Sequence, residues 1–194
     1  KDGAPRNLTK SSGVADRRPL WSPNGDQIAY FSDKGGKGYA LILQDQSGMK
    51  EPVRIDIGKS KLGWEATWSP DGERIAFVDD DTWIQIVNLK TKSVKAIGHA
   101  GVNLDRGNMN LAWAPDSKWL AYNISDKNNL RKIMVWQVGT TAPKRITDEF
   151  ADAVYPTWDR DGKHMYFAAS TDVGLGSGWA NTSAMQSDPE YATY

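Results

Sequence analysis

The chain has 194 residues, and its 24 Lys plus Arg balance 24 Asp plus Glu, giving a formal charge of zero. That balance argues against the clustered basic footprint of a nucleic-acid binder and the polybasic patch of a membrane-surface protein. The chain has no cysteine, which excludes disulfide frameworks, cysteine zinc sites and thiol nucleophiles.

Hydrophobic residues make up 39% of the chain, enough for a packed core. The longest apolar runs, Leu41-Ile42-Leu43 and Ile133-Met134-Val135-Trp136, are strand-sized and far below the roughly 18 residues of a membrane span. The sequence opens on Lys1 with no targeting segment and reads as a processed or excised piece. Nine tryptophans are a heavy load for this length, as expected when one structural slot is filled repeatedly.

In chain order, Asn7-Leu8-Thr9 reads first, as the outer strand of a sheet that begins elsewhere. Trp21-Ser22-Pro23-Asn24-Gly25 follows and recurs as Trp68-Ser69-Pro70-Asp71-Gly72, Trp113-Ala114-Pro115-Asp116-Ser117 and Trp158-Asp159-Arg160-Asp161-Gly162, at spacings of 47, 45 and 45 residues. Seven residues after each Trp stand Ile28, Ile75, Leu120 and Met165, and two further on Tyr30, Phe77, Tyr122 and Phe167. Ala29, Ala76 and Ala121 lie between them in the first three copies.

Each part of this unit has a physical meaning. Pro presets φ for a tight turn, Asp bonds its own backbone, and Gly takes the left-handed exit. The Trp closes one strand and the apolar-Ala-aromatic run opens the next, making a hairpin. Period-two alternation puts the aromatic on one face and leaves Ala to keep the other thin. A third strand is expected at Tyr39–Leu43, Trp83–Val87 and Lys132–Trp136, and a shorter polar fourth at Pro52–Ile55, Ser93–Ile97 and Pro143–Thr147. Four antiparallel strands in about 45 residues is the period of a propeller blade. The expected fold is an all-β propeller of four-stranded blades. Its divisions fall at residues 1–10 (outer strand of a preceding blade), 11–57, 58–98, 99–148 and 149–194, the last blade being incomplete with a long loop. A ring of about six or seven blades needs roughly 270 to 315 residues at this period. These three and a half blades are therefore expected to belong to a longer chain or to pair with a second copy.

The stretch Trp68–Phe77 resembles the PD-type repeat of TolB-like proteins and of tricorn-type serine peptidases. The resemblance runs from Asn7 to Asp172. Ala169-Ser170-Thr171-Asp172-Val173-Gly174 with Gly178-Trp179, coming after the Trp158–Gly162 hairpin, is similar to bacterial tricorn-like peptidases. So are Gly13-Val14-Ala15-Asp16-Arg17, Tyr30-Phe31-Ser32-Asp33 and Asp56-Ile57-Gly58. The resemblance implies a non-catalytic propeller module that precedes a PDZ module and the catalytic domains. Its role would be that of scaffold, docking surface and peptide access filter. The implied partners are other domains of the parent chain or further copies of itself, with peptides or proteins as ligands, no nucleic acid and no membrane insertion. No cofactor is implied. The alternative is a TolB-like periplasmic protein-binding propeller. A third class, a propeller enzyme with a channel metal, needs His, Asp or Glu converging on inner strands that are poor in them. A periplasmic or secreted location is expected, with a cytoplasmic one also compatible with the lack of cysteine.

In a four-stranded meander the first-to-second and third-to-fourth turns share one end, and the second-to-third loops and blade links share the other. The uniform turns, marked by Trp21, Pro23, Gly25, Trp68, Pro70, Gly72, Trp113, Pro115, Trp158 and Gly162, read as structural. The variable end reads as the binding face. Its candidates are Arg17, Arg18, Trp64, Asp105, Arg106, Tyr155, Thr171, Asp172 and Trp179, the last three in a long loop over about 171–190.

Several tempting motifs read as structural. Asp79-Asp80-Asp81 lacks the alternating spacing of a calcium loop, and Gly35-Gly36-Lys37-Gly38 sits between two strands with no Ser or Thr after the Lys. Gly176-Ser177-Gly178 is no nucleophile elbow, because Leu175 and Trp179 stand where that motif needs glycine. His99 and His164 fall in a blade link and after a turn, so no catalytic set and no metal site is expected. The sequons at Asn7, Asn123 and Asn181 carry no weight.

Overall fold

The computed structural model describes residues 4–36, 38–58, 62–100, 108–126, 130–148, 152–170 and 192–193. The first sheet is a meander of β1 (Asp16–Trp21), β2 (Gln27–Ser32), β3 (Ala40–Asp45) and β4 (Val53–Asp56). The second has β5 (Ala66–Trp68), β6 (Arg74–Val78), β7 (Trp83–Asn88) and β8 (Ser93–His99). The third has β9 (Ala112–Trp113), β10 (Trp119–Ser125), β11 (Arg131–Gln137) and β12 (Lys144–Arg145). The fourth has β13 (Asp152–Trp158), β14 (Met165–Ser170) and β15 (Ala192–Thr193). All pairings are antiparallel, and no helix occurs among the described residues.

The hairpins form as the repeat dictates: Trp21 pairs with Ile28, Trp68 with Ile75, Trp113 with Leu120 and Trp158 with Met165. One expectation is corrected. Asn7-Leu8-Thr9 forms no strand, because a ladder needs a neighbour and the described residues give it none. The fourth sheet has a third strand, β15, paired with β14 through Ala168↔Thr193 and Ala169↔Ala192. A strand of two residues is too short to show an alternation in the sequence.

Inner strands β1, β5, β9 and β13 are neighbours in that order, so the sheets stand side by side around one axis in an open arc. The alternation along the second strands builds the layers. Ile75 and Phe77 face the first sheet, packing with Ala29, Phe31 and Leu41. Ala76 and Val78 face the third sheet, packing with Trp113, Leu120 and Tyr122. The Phe31 and Phe77 rings tilt together at 5.3 Å, a favourable edge-to-face geometry. Trp68, Trp113 and Trp158 reach back to the sheet before them, and Trp158 donates its indole N–H to the Ala112 carbonyl at 3.0 Å. Trp68 and Trp113 are only 8% and 9% exposed, whereas Trp21, which has no earlier sheet among the described residues to pack on, is 59% exposed.

Two sites test this close approach. Gly63 packs against the tip of the Phe31 ring, and a Cβ there would collide with it. Gly63→Ala is expected to cost about 2 kcal/mol through overpacking, read as a lower urea midpoint at unchanged slope; an unchanged midpoint contradicts the contact. Tyr122 is 1% exposed and its hydroxyl has no partner, while burial pushes its pKa up. Phe77 fills the same slot in the second sheet. Tyr122→Phe removes an unpaired buried hydroxyl and is expected to stabilise by about 1 kcal/mol; a loss of that size in thermal unfolding would refute the idle hydroxyl.

Candidate binding face

At one end of the arc the four repeat turns close identically. Gly25, Gly72, Ser117 and Gly162 each donate a backbone N–H to the residue three before, at 2.9 to 3.2 Å. All four have positive φ, Ser117 at +59°. Neighbouring turns touch: Gly72 lies over Pro23, Gly162 over Pro115, and the Asp71 amide donates to the Ser117 hydroxyl at 2.9 Å. Ser22 and Ser69 accept the amides of Gln27 and Arg74, and Asp159 does the same for His164. The Asp159, Asp161 and His164 side chains place their ligand atoms within 4.8 Å of one another. That cluster is accounted for by the turn, since Asp159 fills the serine's place and also bonds the imidazole at 2.9 Å.

The other end gathers the links and the second-to-third loops. Asp33 accepts the Ala15 amide at 2.9 Å, and the Trp64 indole donates to Asp80 at 3.0 Å. Asp79 is 6% exposed and accepts the amides of Asp81 and Trp83 and the Gln85 side-chain amide. The triple aspartate is therefore a loop clasp. Gly36 closes its hairpin onto the Asp33 carbonyl. Asp152, fully buried, takes both ends of the Arg131 guanidinium at 3.0 and 2.7 Å and the Arg131 amide at 2.7 Å, tying the fourth link to the third sheet.

A ladder runs across this end at the third residue before each repeat Trp: Arg18, Glu65, Asn110 and Tyr155. Arg18, Asn110 and Tyr155 have φ of +55°, +50° and +57°. Pro19 and Pro156 follow two of them and supply no N–H, so the β1–β2 and β13–β14 ladders slip at those points. Two of these side chains serve the next sheet. The Glu65 carboxylate accepts the amides of Met109, Asn110 and Leu111 at 2.8, 3.2 and 2.6 Å, and the Asn110 carbonyl oxygen accepts the Tyr155 amide at 3.4 Å. Burial raises the Glu65 pKa, while those three amides and the charge of Arg18 pull it back in part. Strained backbone of this kind persists only where the surroundings fix it, and it clusters at functional sites.

Of the sequence candidates, Arg17 and Arg18 are exposed, Tyr155 is 63% exposed, and Trp64 is half-buried against the core between the second and third sheets. Asp105, Arg106, Thr171, Asp172 and Trp179 lie outside the described residues, as do Lys37 and the Gly176–Gly178 stretch. Asn110 was not singled out from the sequence, although its offset from Trp113 matches that of Arg18 from Trp21. Asn123 is buried with its amide on the Asn108 carbonyl, where no glycan fits.

The fold and this end together define an open β-propeller whose uniform turns close one side and whose irregular inner-strand ends line the other. The chain belongs to the PD40 family, the TolB beta propeller domain, which matches residues 37–175. It is similar to a putative tricorn-like protease C-terminal subunit of Sulfurisphaera tokodaii, 21% identical over 87% of this chain and 18% of the relative. It is also similar to tricorn protease homolog 1 of Streptomyces coelicolor, 24% identical over 88% of this chain and 16% of the relative. The tricorn protease crystal structure superposes with a TM-score of 0.66 at 16% identity, over 84% of this chain and 16% of that one. The chain thus spans less than a fifth of the length of these tricorn relatives.

Proposed function

We propose that this chain is a non-catalytic module of a tricorn-like peptidase, a scaffold and docking surface that admits extended peptides along the axis bordered by β1, β5, β9 and β13. The observation that carries this reading is the similarity to tricorn-like proteases over most of the chain. The site chemistry agrees with it. Arg18 and Tyr155 stand exposed at the inner-strand ends, while Glu65 and Asn110 are engaged in holding neighbouring backbone. Arginine and tyrosine are the side chains that most often anchor bound chains. Hydrolysis belongs in this reading to other parts of the parent protein.

The test is fluorescence anisotropy of a labelled, unstructured peptide of about ten residues titrated with the chain. Saturable binding weakened about tenfold, or ~1.4 kcal/mol, by Arg18→Ala with Tyr155→Ala supports the reading. Absence of binding, or binding indifferent to both substitutions, overturns it.

A further inference from the structure

The four repeat turns share a backbone but not a set of side chains. In the first, the Ser22 hydroxyl donates to the Asn24 side-chain oxygen at 2.7 Å, and in the second the Ser69 hydroxyl donates to Asp71 at 2.5 Å. The Arg74 guanidinium also reaches Asp71, at 3.2 Å, and answers its charge. The third turn has Ala114 at the serine position and a single carboxylate, Asp116, which accepts the Lys118 amide.

The fourth turn departs from this pattern twice. Asp159 stands in the serine's place, and His164 in that of Gln27 and Arg74. A serine would cap the His164 amide equally well, as Ser22 and Ser69 do for Gln27 and Arg74. The turn thus fixes where these groups sit without dictating which groups they are. One oxygen each of Asp159 and Asp161 and a ring nitrogen of His164 lie within 4.8 Å of one another. Both carboxylates are ionised at neutral pH, so the hydroxyl proton that joins the same two positions in the first two turns is missing. Like charges this close call for a cation. Lys163 approaches Asp161 at 3.6 Å, but on a well-exposed side chain, and such pairs hold weakly. Among the described residues no other three His, Asp or Glu side chains converge in this way.

The donor set selects the ion. An imidazole nitrogen with two carboxylate oxygens suits Zn2+ and the neighbouring divalent transition metals. Ca2+ asks for about six to eight oxygens, which two carboxylates do not supply. The two negative charges match a dication. Asp161 and His164 are exposed, so their side chains have room to close onto bonds of about 2.0 to 2.2 Å, with water completing the shell.

We propose that the fourth repeat turn binds a divalent transition metal ion, Zn2+ foremost, through Asp159, Asp161 and His164. The ion takes the place of the missing hydroxyl proton and ties the end of β13 to the start of β14. All three ligands belong to one hairpin, so the site needs no neighbouring sheet. It lies at the opposite end of the arc from the binding face, and its failure would leave the peptide reading intact. Taken singly along the sequence, His164 is a surface residue after a turn; the fold sets two carboxylates beside it.

Isothermal titration of the tag-free chain with Zn2+ is expected to show one saturable site, and Zn2+ should raise the thermal midpoint. Asp159→Ser restores the repeat's own serine and keeps an acceptor for the His164 amide, so this variant should fold. It is expected to weaken Zn2+ binding at least tenfold, as is His164→Gln, since even the supporting groups around a metal are worth roughly 10- to 100-fold. In nuclear magnetic resonance spectra the His164 ring signals should shift with Zn2+ while those of His99 stay in place. Absence of saturable binding, unchanged affinity in both variants, a shift at His99 instead of His164, or displacement of Zn2+ by an equal concentration of Ca2+ would each overturn the proposal.

Discussion

Asp152→Ala is expected to cost about 3 to 5 kcal/mol, the range for removing one partner of a buried ion pair. The carboxylate is fully buried and receives three N–H donors from one residue, Arg131 Nε, Nη2 and the backbone amide. Its loss removes the buried carboxylate that holds the Arg131 guanidinium, itself 23% exposed, and frees the fourth link from the third sheet. For a chain of this size the thermal midpoint should fall by roughly 10 °C. Asp152→Asn keeps the shape and one acceptor, so it should fall between the variant and the native chain. Equal midpoints for Asp152→Ala and native protein in calorimetry would show that the pair contributes no stability.

The second large effect is expected at Glu65. Glu65→Ala leaves the amides of Met109, Asn110 and Leu111 without their acceptor. At roughly 1 to 3 kcal/mol for each buried donor, with water recovering part at a half-buried site, the loss should be about 3 kcal/mol. The same group sets a pH dependence. Its folded-state pKa lies above the ordinary 4.5, chiefly through burial. Between the two values the folded chain holds the proton that the unfolded chain has released. Stability is therefore lost as pH rises through that window, and regained as it falls. Glu65→Gln cannot titrate and should flatten this slope in urea midpoints measured across it. A native chain whose midpoint rises over that window would contradict the assignment.

The repeat was legible because it is local. Trp, turn and strand lie within ten residues, so the Trp21–Ile28 pairing and its three counterparts follow from turn chemistry and alternation alone. The thin alanine face was legible for the same reason, and Ala29, Ala76 and Ala121 are all fully buried. The candidate face was legible only as an end of the molecule. Which side chains stay free there depends on partners about 45 residues away, as with Glu65 and Leu111 or Asn110 and Tyr155. Trp64 looked available and is occupied by Asp80 and the core.

The amino-acid sequence on its own determined the strand pattern, the turns, the blade period and the family, because each is written in contacts between near neighbours. Tertiary structure alone decided the positive-φ ladder, the clasp between Arg131 and Asp152, the third strand of the fourth sheet and the exposure of Trp21. Those depend on which sheet stands beside which, and distance along a chain does not encode adjacency in space.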